Sequence, residues 1–323
     1  MMINCRCMAP KDIIDHGELI DSVLKKNNLD LTLPVKRYTG GQINFVYQVG
    51  DDFVLKIEKD LDVTHHQESI VKLAVEAGAK IPKIQDVGEV DGHRYLLMDR
   101  IQGEKLSGSW HTFSETQKES FIRQICEQMK ILHSIKFEKY SPQRPKEFDT
   151  LLESIEWQMS ETKVDDSKLD EVAKTNLDLL NQFYEENKKI LDERGGAVFV
   201  HNDLHFENVL FDGDQISGII DFDFSRQFAK DFELRCLVDF FFAPKYYVEE
   251  KLEPIWIEFQ LGKELDWFKK YYPELFNHPQ ILTRFRLFIM NQILCDVRDG
   301  AVYKMNERVD AYFKGDWLEK NLA

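Results

Sequence analysis

The chain has 323 residues, an apolar fraction of 43%, an aromatic fraction of 12% and a net charge of −15. That is enough for one large or two smaller domains, and the acidic balance argues against nucleic acid or an anionic membrane as partner. Five cysteines, an odd number, do not suggest a disulfide framework, and with no signal-like start or membrane-length apolar run the expected location is cytoplasmic.

In chain order, "DIIDHGELIDSVLKKNN" has helical apolar spacing. Short β-rich runs follow, "PVKRYTGGQINFVYQVG" and "DDFVLKIEKD", with a turn at Gly50-Asp51-Asp52. "VTHHQESIVKLAVEAG" reads as a helix closed by Gly78, and "IPKIQDVGEVDGHRYLLMDRIQG" as two strands around Asp91-Gly92. After Gly103 the pattern becomes helical, beginning where Ser114 and Gln117 stand in capping-box positions. Residues 146–194 are charged and helical by period, and the chain is helical and aromatic-rich from about residue 231 onward. The expected class is α+β in two lobes: a small antiparallel β-rich lobe at 1–101 and a larger, mostly helical lobe at 102–323, with a ligand cleft between them.

Between the two helical regions lies "VFVHNDLHFENVLFDGDQISGIIDFDFS". It parses as strand "AVFV", loop "HNDLHFEN", strand "VLFD", turn "GDQ" and strand "ISGIID". Carboxylates beside buried strands are costly unless paired, hydrogen-bonded or metal-bound. The hairpin brings Asp203, Asn208 and Asp221 to one edge. That set suits phosphoryl transfer: Asp203 orients the attacking hydroxyl and accepts its proton, while Asn208 and Asp221 hold Mg²⁺ against nucleotide phosphates. Upstream, Gly40 and Gly41 sit at a turn where backbone amides can approach phosphates. Lys56, on the next strand, reaches toward the α/β-phosphates, and Glu68 on the following helix is its expected partner.

Together "GGQINFVY", "VLKIEK", "HQES", "LLMDRIQG", "HNDLHFENVLF" and "GIIDFDF" resemble the aminoglycoside phosphotransferase and choline kinase superfamily, which has the protein-kinase-like fold. The resemblance spans roughly residues 36–240. It implies Asp203 as catalytic base, Asn208 and Asp221 as Mg²⁺ ligands, and Lys56 with Glu68 as the phosphate-binding pair. It also implies ATP, or GTP, as donor, with the base bound along "MDRI", by Asp99 and Ile101. The chain lacks the full G-x-G-x-x-G, D-F-G and A-P-E segments of protein kinases, which argues against a protein substrate. "HND" and the acidic residue two places after Asp221 are also choline-kinase features, so the acceptor branch stays open.

The acceptor is expected to be a small cationic molecule with a free hydroxyl. Carboxylates of the 146–194 insertion and the C-terminal helices would bind ammonium groups, or Trp157, Trp256, Tyr246 and Tyr247 would box a quaternary ammonium. Three functions follow: an aminoglycoside phosphotransferase-like kinase, a choline, ethanolamine or other metabolic kinase, and a nucleotide-binding pseudoenzyme that acts as an interaction module. His201 reads as structural; His205 and Asp223 are left between a supporting role and none.

Overall fold

The computed structural model describes residues 16–38, 44–58, 65–143, 146–165, 167, 169–258 and 263–322. The small lobe begins with helix α1 (Gly17–Lys26), whose Leu19, Ile20, Val23 and Leu24 form one buried stripe. It packs on an antiparallel sheet of β1 (Val35–Arg37), β2 (Phe45–Val49), β3 (Phe53–Ile57), β4 (Ile84–Val90) and β5 (His93–Asp99), in the order β1-β2-β3-β5-β4. Phe45, Tyr47 and Val49 alternate inward on β2 and meet Leu55, Ile57, Tyr95 and Leu97 in a core of their own. Two-residue turns require left-handed backbone, supplied at Asp91 (φ 52°) and Gly92 (φ 74°) between β4 and β5.

Helix α2 (His65–Glu76) lies between β3 and β4 in the chain, yet its Ile70, Val71 and Ala74 belong to the larger core of the other lobe. The segment after it is clasped to that lobe. Lys80 N donates to Gln128 Oε1 (2.7 Å), its Nζ to Ile216 O (2.8 Å), and its carbonyl accepts from Ile219 N (2.8 Å).

The connection after β5 runs into β6 (Glu104–Lys105), where the proposed boundary between residues 101 and 102 falls. Gly103 has φ +130°, and a side chain there would meet Phe211 O at 2.5 Å and Ser217 Oγ at 2.6 Å. Only glycine lets the linker lie this close to the strands beneath.

The large lobe continues through α3 (Leu106–Ser109) and α4 (Glu115–Ser134), which opens with the expected Ser114–Gln117 capping box. Then come β7 (Lys136–Phe137), β8 (Tyr140–Gln143), β9 (Lys146–Phe148), α5 (Leu151–Glu161) and α6 (Glu171–Asn187). Next are β10 (Ala197–Val200), β11 (Val209–Asp212), β12 (Gln215–Ile219) and β13 (Arg226–Phe228). Helices α7 (Leu234–Phe242), α8 (Glu253–Glu258), α9 (Glu264–Tyr271), α10 (Ile281–Arg298), α11 (Val302–Val309) and α12 (Trp317–Leu322) complete it. Two sheets are embedded among these helices: one ordered β7-β10-β13-β8-β9, the other β12-β11-β6. The strand–loop–strand–turn–strand pattern expected at 197–219 is present. The sheet built from β7, β8, β9 and β13 was not expected.

Candidate active site

Strand β10 is buried at every position, so the loop that follows it emerges from the core at a fixed point. Asn202, the second residue out, has φ 66°, a conformation costly for a residue with a side chain and held only where the surroundings over-determine it. The surroundings do so here. Glu233 accepts from both His201 N (2.9 Å) and Asn202 N (3.0 Å), and Arg235 Nη2 donates to Asn202 O (2.7 Å) and Oδ1 (3.0 Å). Asn202 Nδ2 donates to Phe224 O at 3.1 Å. His201 is fully buried, and its Nε2 lies 3.0 Å from the Ile220 carbonyl. That carbonyl can only accept, so Nε2 carries the proton, and Nδ1 is left to accept from Asp203 N at 3.3 Å. Both ring nitrogens of His201 are thus taken up by backbone groups.

Asp203 and Asn208 interlock. Asn208 Nδ2 donates to Asp203 O (2.8 Å) and Oδ2 (3.2 Å), which leaves its amide oxygen as the atom with ligand character. His205 Nε2 stands 3.5 Å from Asp203 Oδ2, its ring between Tyr247 and Phe240. Burial would raise the Asp203 carboxyl, but His205, then Arg235, outweigh it and bring the pKa down to about 2. Cys236, whose thiol burial pushes up, approaches Asp203 Oδ1 at 3.8 Å.

Asp221 reaches the same edge through the β11–β12 hairpin. Val209 pairs with Ile219, and Ile220 N donates to Asn208 O (2.9 Å), so Asp221 follows directly. Like Asn202 it has left-handed backbone (φ 64°), and it is exposed. An amide oxygen and an exposed carboxylate form a hard, oxygen-only donor set of the kind Mg²⁺ takes with phosphates completing its shell. Among the described residues no group of three or more His, Cys, Asp or Glu side chains is arranged to hold a metal by itself.

Lys56 projects from β3 and is buried. Burial pushes its amine pKa down, against the charges of Asp221 and Glu58. Its ion-pair partner is Asp223, which also accepts from Asn44 Nδ2 at 2.8 Å. Glu68, the expected partner, is exposed on α2, so here the lysine is held from the large lobe. Asp99 N donates to Lys83 O (2.8 Å) and its side chain accepts from Gln85 (2.6 Å). The Ile101 side chain packs over Gly218. Gly40 and Gly41 lie outside the described residues.

The aromatic residues singled out for an acceptor have other duties. Trp256 is core, packed on Phe206 and Phe240, and Trp157 lies against Phe148. Tyr246 donates to Glu307 (2.5 Å), with Lys245, Lys304 and Arg308 around its ring. Tyr247 donates to Asp239 (2.6 Å) and touches His205. Sequence reasoning missed Glu233, Arg235 and Asn44, and left Asp223 undecided. Glu233 and Arg235 lie outside every quoted motif, and Asn44 and Asp223, though inside two of them, act through a contact made only on folding.

Known proteins bear on this geometry. Among curated proteins none matches the sequence. A thermostable variant of aminoglycoside phosphotransferase APH(4)-Ia, in complex with AMP-PNP and hygromycin B, is similar in structure with a TM-score of 0.65 at 18% identity, over 89% of this chain and 96% of that one. Wild-type aminoglycoside 2'-phosphotransferase-IIIa, in its GDP complex, gives 0.63 at 16% identity, over 95% and 98%. These likenesses establish the expected protein-kinase-like fold. The model of the phosphotransferase enzyme family matches residues 34–227, from β1 through the catalytic loop to β13, and the chain belongs to that family.

Proposed function

We propose that the protein transfers the γ-phosphate of ATP or GTP to a hydroxyl of a small molecule, as a kinase of the aminoglycoside phosphotransferase type. The observation that carries this reading is the interlocked Asp203–Asn208 pair beside Asp221, facing a buried lysine of the other lobe. Solved structures of the same fold hold AMP-PNP with hygromycin B, and GDP with kanamycin. Nucleotide use is therefore the expectation, and aminoglycosides are one acceptor class to test beside choline, ethanolamine and sugars.

Each residue has a role that its surroundings explain. Asp203 stays ionised and points its carboxylate at the incoming hydroxyl. With a pKa near 2 it is a weak base, so it orients the nucleophile first and takes the proton late, once bonding to phosphorus has made that proton acidic. Asn208 fixes Asp203 through Nδ2 and offers its amide oxygen, and Asp221 offers its carboxylate, to Mg²⁺. The ion, when bound, neutralises charge on the phosphates. Lys56 supplies a second positive charge from the small lobe once it exchanges Asp223 for phosphate oxygens. Backbone around Asp99 and Ile101 would receive the base, and the Gly40-Gly41 turn the phosphates.

The test is phosphate transfer from ATP and GTP across a panel of aminoglycosides, choline, ethanolamine and sugars. Acceptor-dependent ADP or GDP release with wild type, lost in Asp203→Asn, supports the reading. Nucleotide binding without transfer to any hydroxyl compound would instead favour a binding module.

A further inference from the structure

Beside the catalytic loop two arginines lack the counter-ions that the protein gives its other buried ones. Arg94 faces Glu58, Arg284 is bridged to Asp231, and Arg308 to Asp239 and Asp296. That pattern is what burial of a guanidinium demands. Arg226 on β13 and Arg235 on α7 differ. Arg226 Nη1 donates to Gln158 Oε1 (2.6 Å) and its Nε to Phe224 O (3.3 Å). Arg235 donates to Asn202 O and Oδ1, and through Nη1 to Gln292 Oε1 (2.9 Å). Both guanidiniums lie within 5.6 Å of the Phe232 ring centre. Among the described residues neither has a carboxylate at ion-pair distance. Glu233, whose charge acts on Arg226, already accepts from the His201 and Asn202 amides and stands 3.5 Å from His133, and Asp203 feels the charge of Arg235 without an ion-pair contact.

A chain with 57 acidic residues against 42 lysines and arginines does not leave a buried Arg235 and a partly buried Arg226 hydrogen-bonded to neutral amides for want of acids. The positions matter as much. Phe224 O accepts from both Arg226 and Asn202, and Arg235 grips Asn202, so the pair flanks the residue immediately before Asp203. The remaining hydrogen-bond partners come from α5 (Gln158) and α10 (Gln292), in the segments expected from the sequence to receive the acceptor. Burial and the Arg235 charge lower the Arg226 pKa to about 9, the mark of a cation that an added negative charge would stabilise.

We infer that the acceptor carries a compact oxyanion, a carboxylate or a phosphate ester, near the hydroxyl that receives phosphate, and that Arg226 binds it while Arg235 and Gln158 hold Arg226 and the loop in place. The guanidinium fork matches such groups in plane and charge. This deepens the proposed function and rests on it, and it differs from the cationic acceptor expected from the net charge. Several carboxylates of those segments are already engaged: Glu153 caps α5, Glu156 and Glu185 lie by Lys188, and Glu307 pairs with Lys245.

The experiment compares matched hydroxyl compounds that differ by the anion: serine against ethanolamine, glycerate against glycerol, homoserine against 3-aminopropanol, and glycerol 3-phosphate against glycerol. ADP release is expected only with the anionic member of a pair, and the carboxylate and phosphate arms tell the two anions apart. Arg226→Gln should raise the KM of that acceptor on the order of 10–100-fold with a smaller effect on kcat, and Arg226→Lys should recover part of it. Turnover confined to cationic or neutral acceptors overturns the inference and leaves the kinase reading intact. If no compound turns over, calorimetry with glycerate and glycerol 3-phosphate decides. Binding lost in Arg226→Gln supports the oxyanion site and counts against the kinase; no binding to wild type overturns the inference.

Discussion

In the proposed role Asp203 sits where two demands meet, since a base must be free to take a proton while an orienting carboxylate must stay charged. The histidine and arginine around it settle the matter toward charge, with a pKa near 2. Protonation of Asp203 therefore cannot produce an acid limb between pH 7 and 4, and any such limb in kcat belongs to another group. Asp203→Asn keeps the shape and removes charge and proton acceptor. Turnover should fall by roughly 10²–10⁴-fold, while calorimetry finds Mg-nucleotide affinity little changed; an unaltered rate would move the base elsewhere. Asp221→Ala should abolish the Mg²⁺-dependent gain in nucleotide affinity with the melting temperature preserved, and equal Mg-ATP affinity in both proteins would remove Asp221 from the metal site. At this scale the sequence was legible where chemistry is contiguous. Asp203 and Asn208 lie five positions apart on one loop, and a hairpin delivers Asp221. It was not legible where partners are remote. Lys56 meets Asp223 rather than Glu68 because the loop between β12 and β13 reaches the small lobe, where Asp223 also accepts from Asn44, and no spacing records that.

Among the elements, the linker carries the sharpest constraint. Gly103 combines φ +130° with backbone and side-chain oxygens where a Cβ would stand. Gly103→Ala should cost about 1–3 kcal/mol, read as a lower urea midpoint with an unchanged slope; an unchanged midpoint would mean that the linker is free to lift away. Helix α4 was readable because a capping box and a long apolar period announce it, and the helical period of residues 146–194 holds α5 and α6. Strands β7, β8, β9 and β13 were not, since runs of two to four residues are too short to show alternation, and their pairing is decided by the sheet partner β10. The same holds for Trp256, read as a candidate ligand box and found in the core, because one aromatic side chain looks alike in either place until its neighbours are known.

Across the whole molecule, the C-terminal helices are joined to α7 by a buried charge network in which Arg308 binds Asp239 and Asp296, and Tyr247 and Tyr312 donate to Asp239. Burial alone would raise the Asp239 carboxyl, but Arg308 and the hydrogen bonds hold it below its ordinary value of 3.8. A depressed carboxyl stabilises the fold above its unfolded pKa, and that contribution disappears as pH falls through the folded one. Stability should therefore decline below about pH 4. Asp239→Asn should flatten that decline while costing about 3–5 kcal/mol at pH 7, because Arg308 loses its main counter-ion. Denaturant titrations at several pH values check both, and parallel pH curves for the two proteins would exclude Asp239 as a source.

Helix α2 shows that the order of the chain and the order of packing are different things. It follows a strand of the small sheet, yet its buried face and the Lys80 clasp behind it are shared with the large lobe. The amides of residues 70–76 should accordingly exchange with deuterium at the pace of α4 and β12, with β2 and β3 free to open independently. Matching protection for α2 and the small sheet would show a single opening unit instead. With independent opening found, the sheet that carries Lys56 would breathe over a floor held by α2 and the Lys80 clasp, and the lysine could exchange Asp223 for phosphate while the Asp203 loop keeps its form.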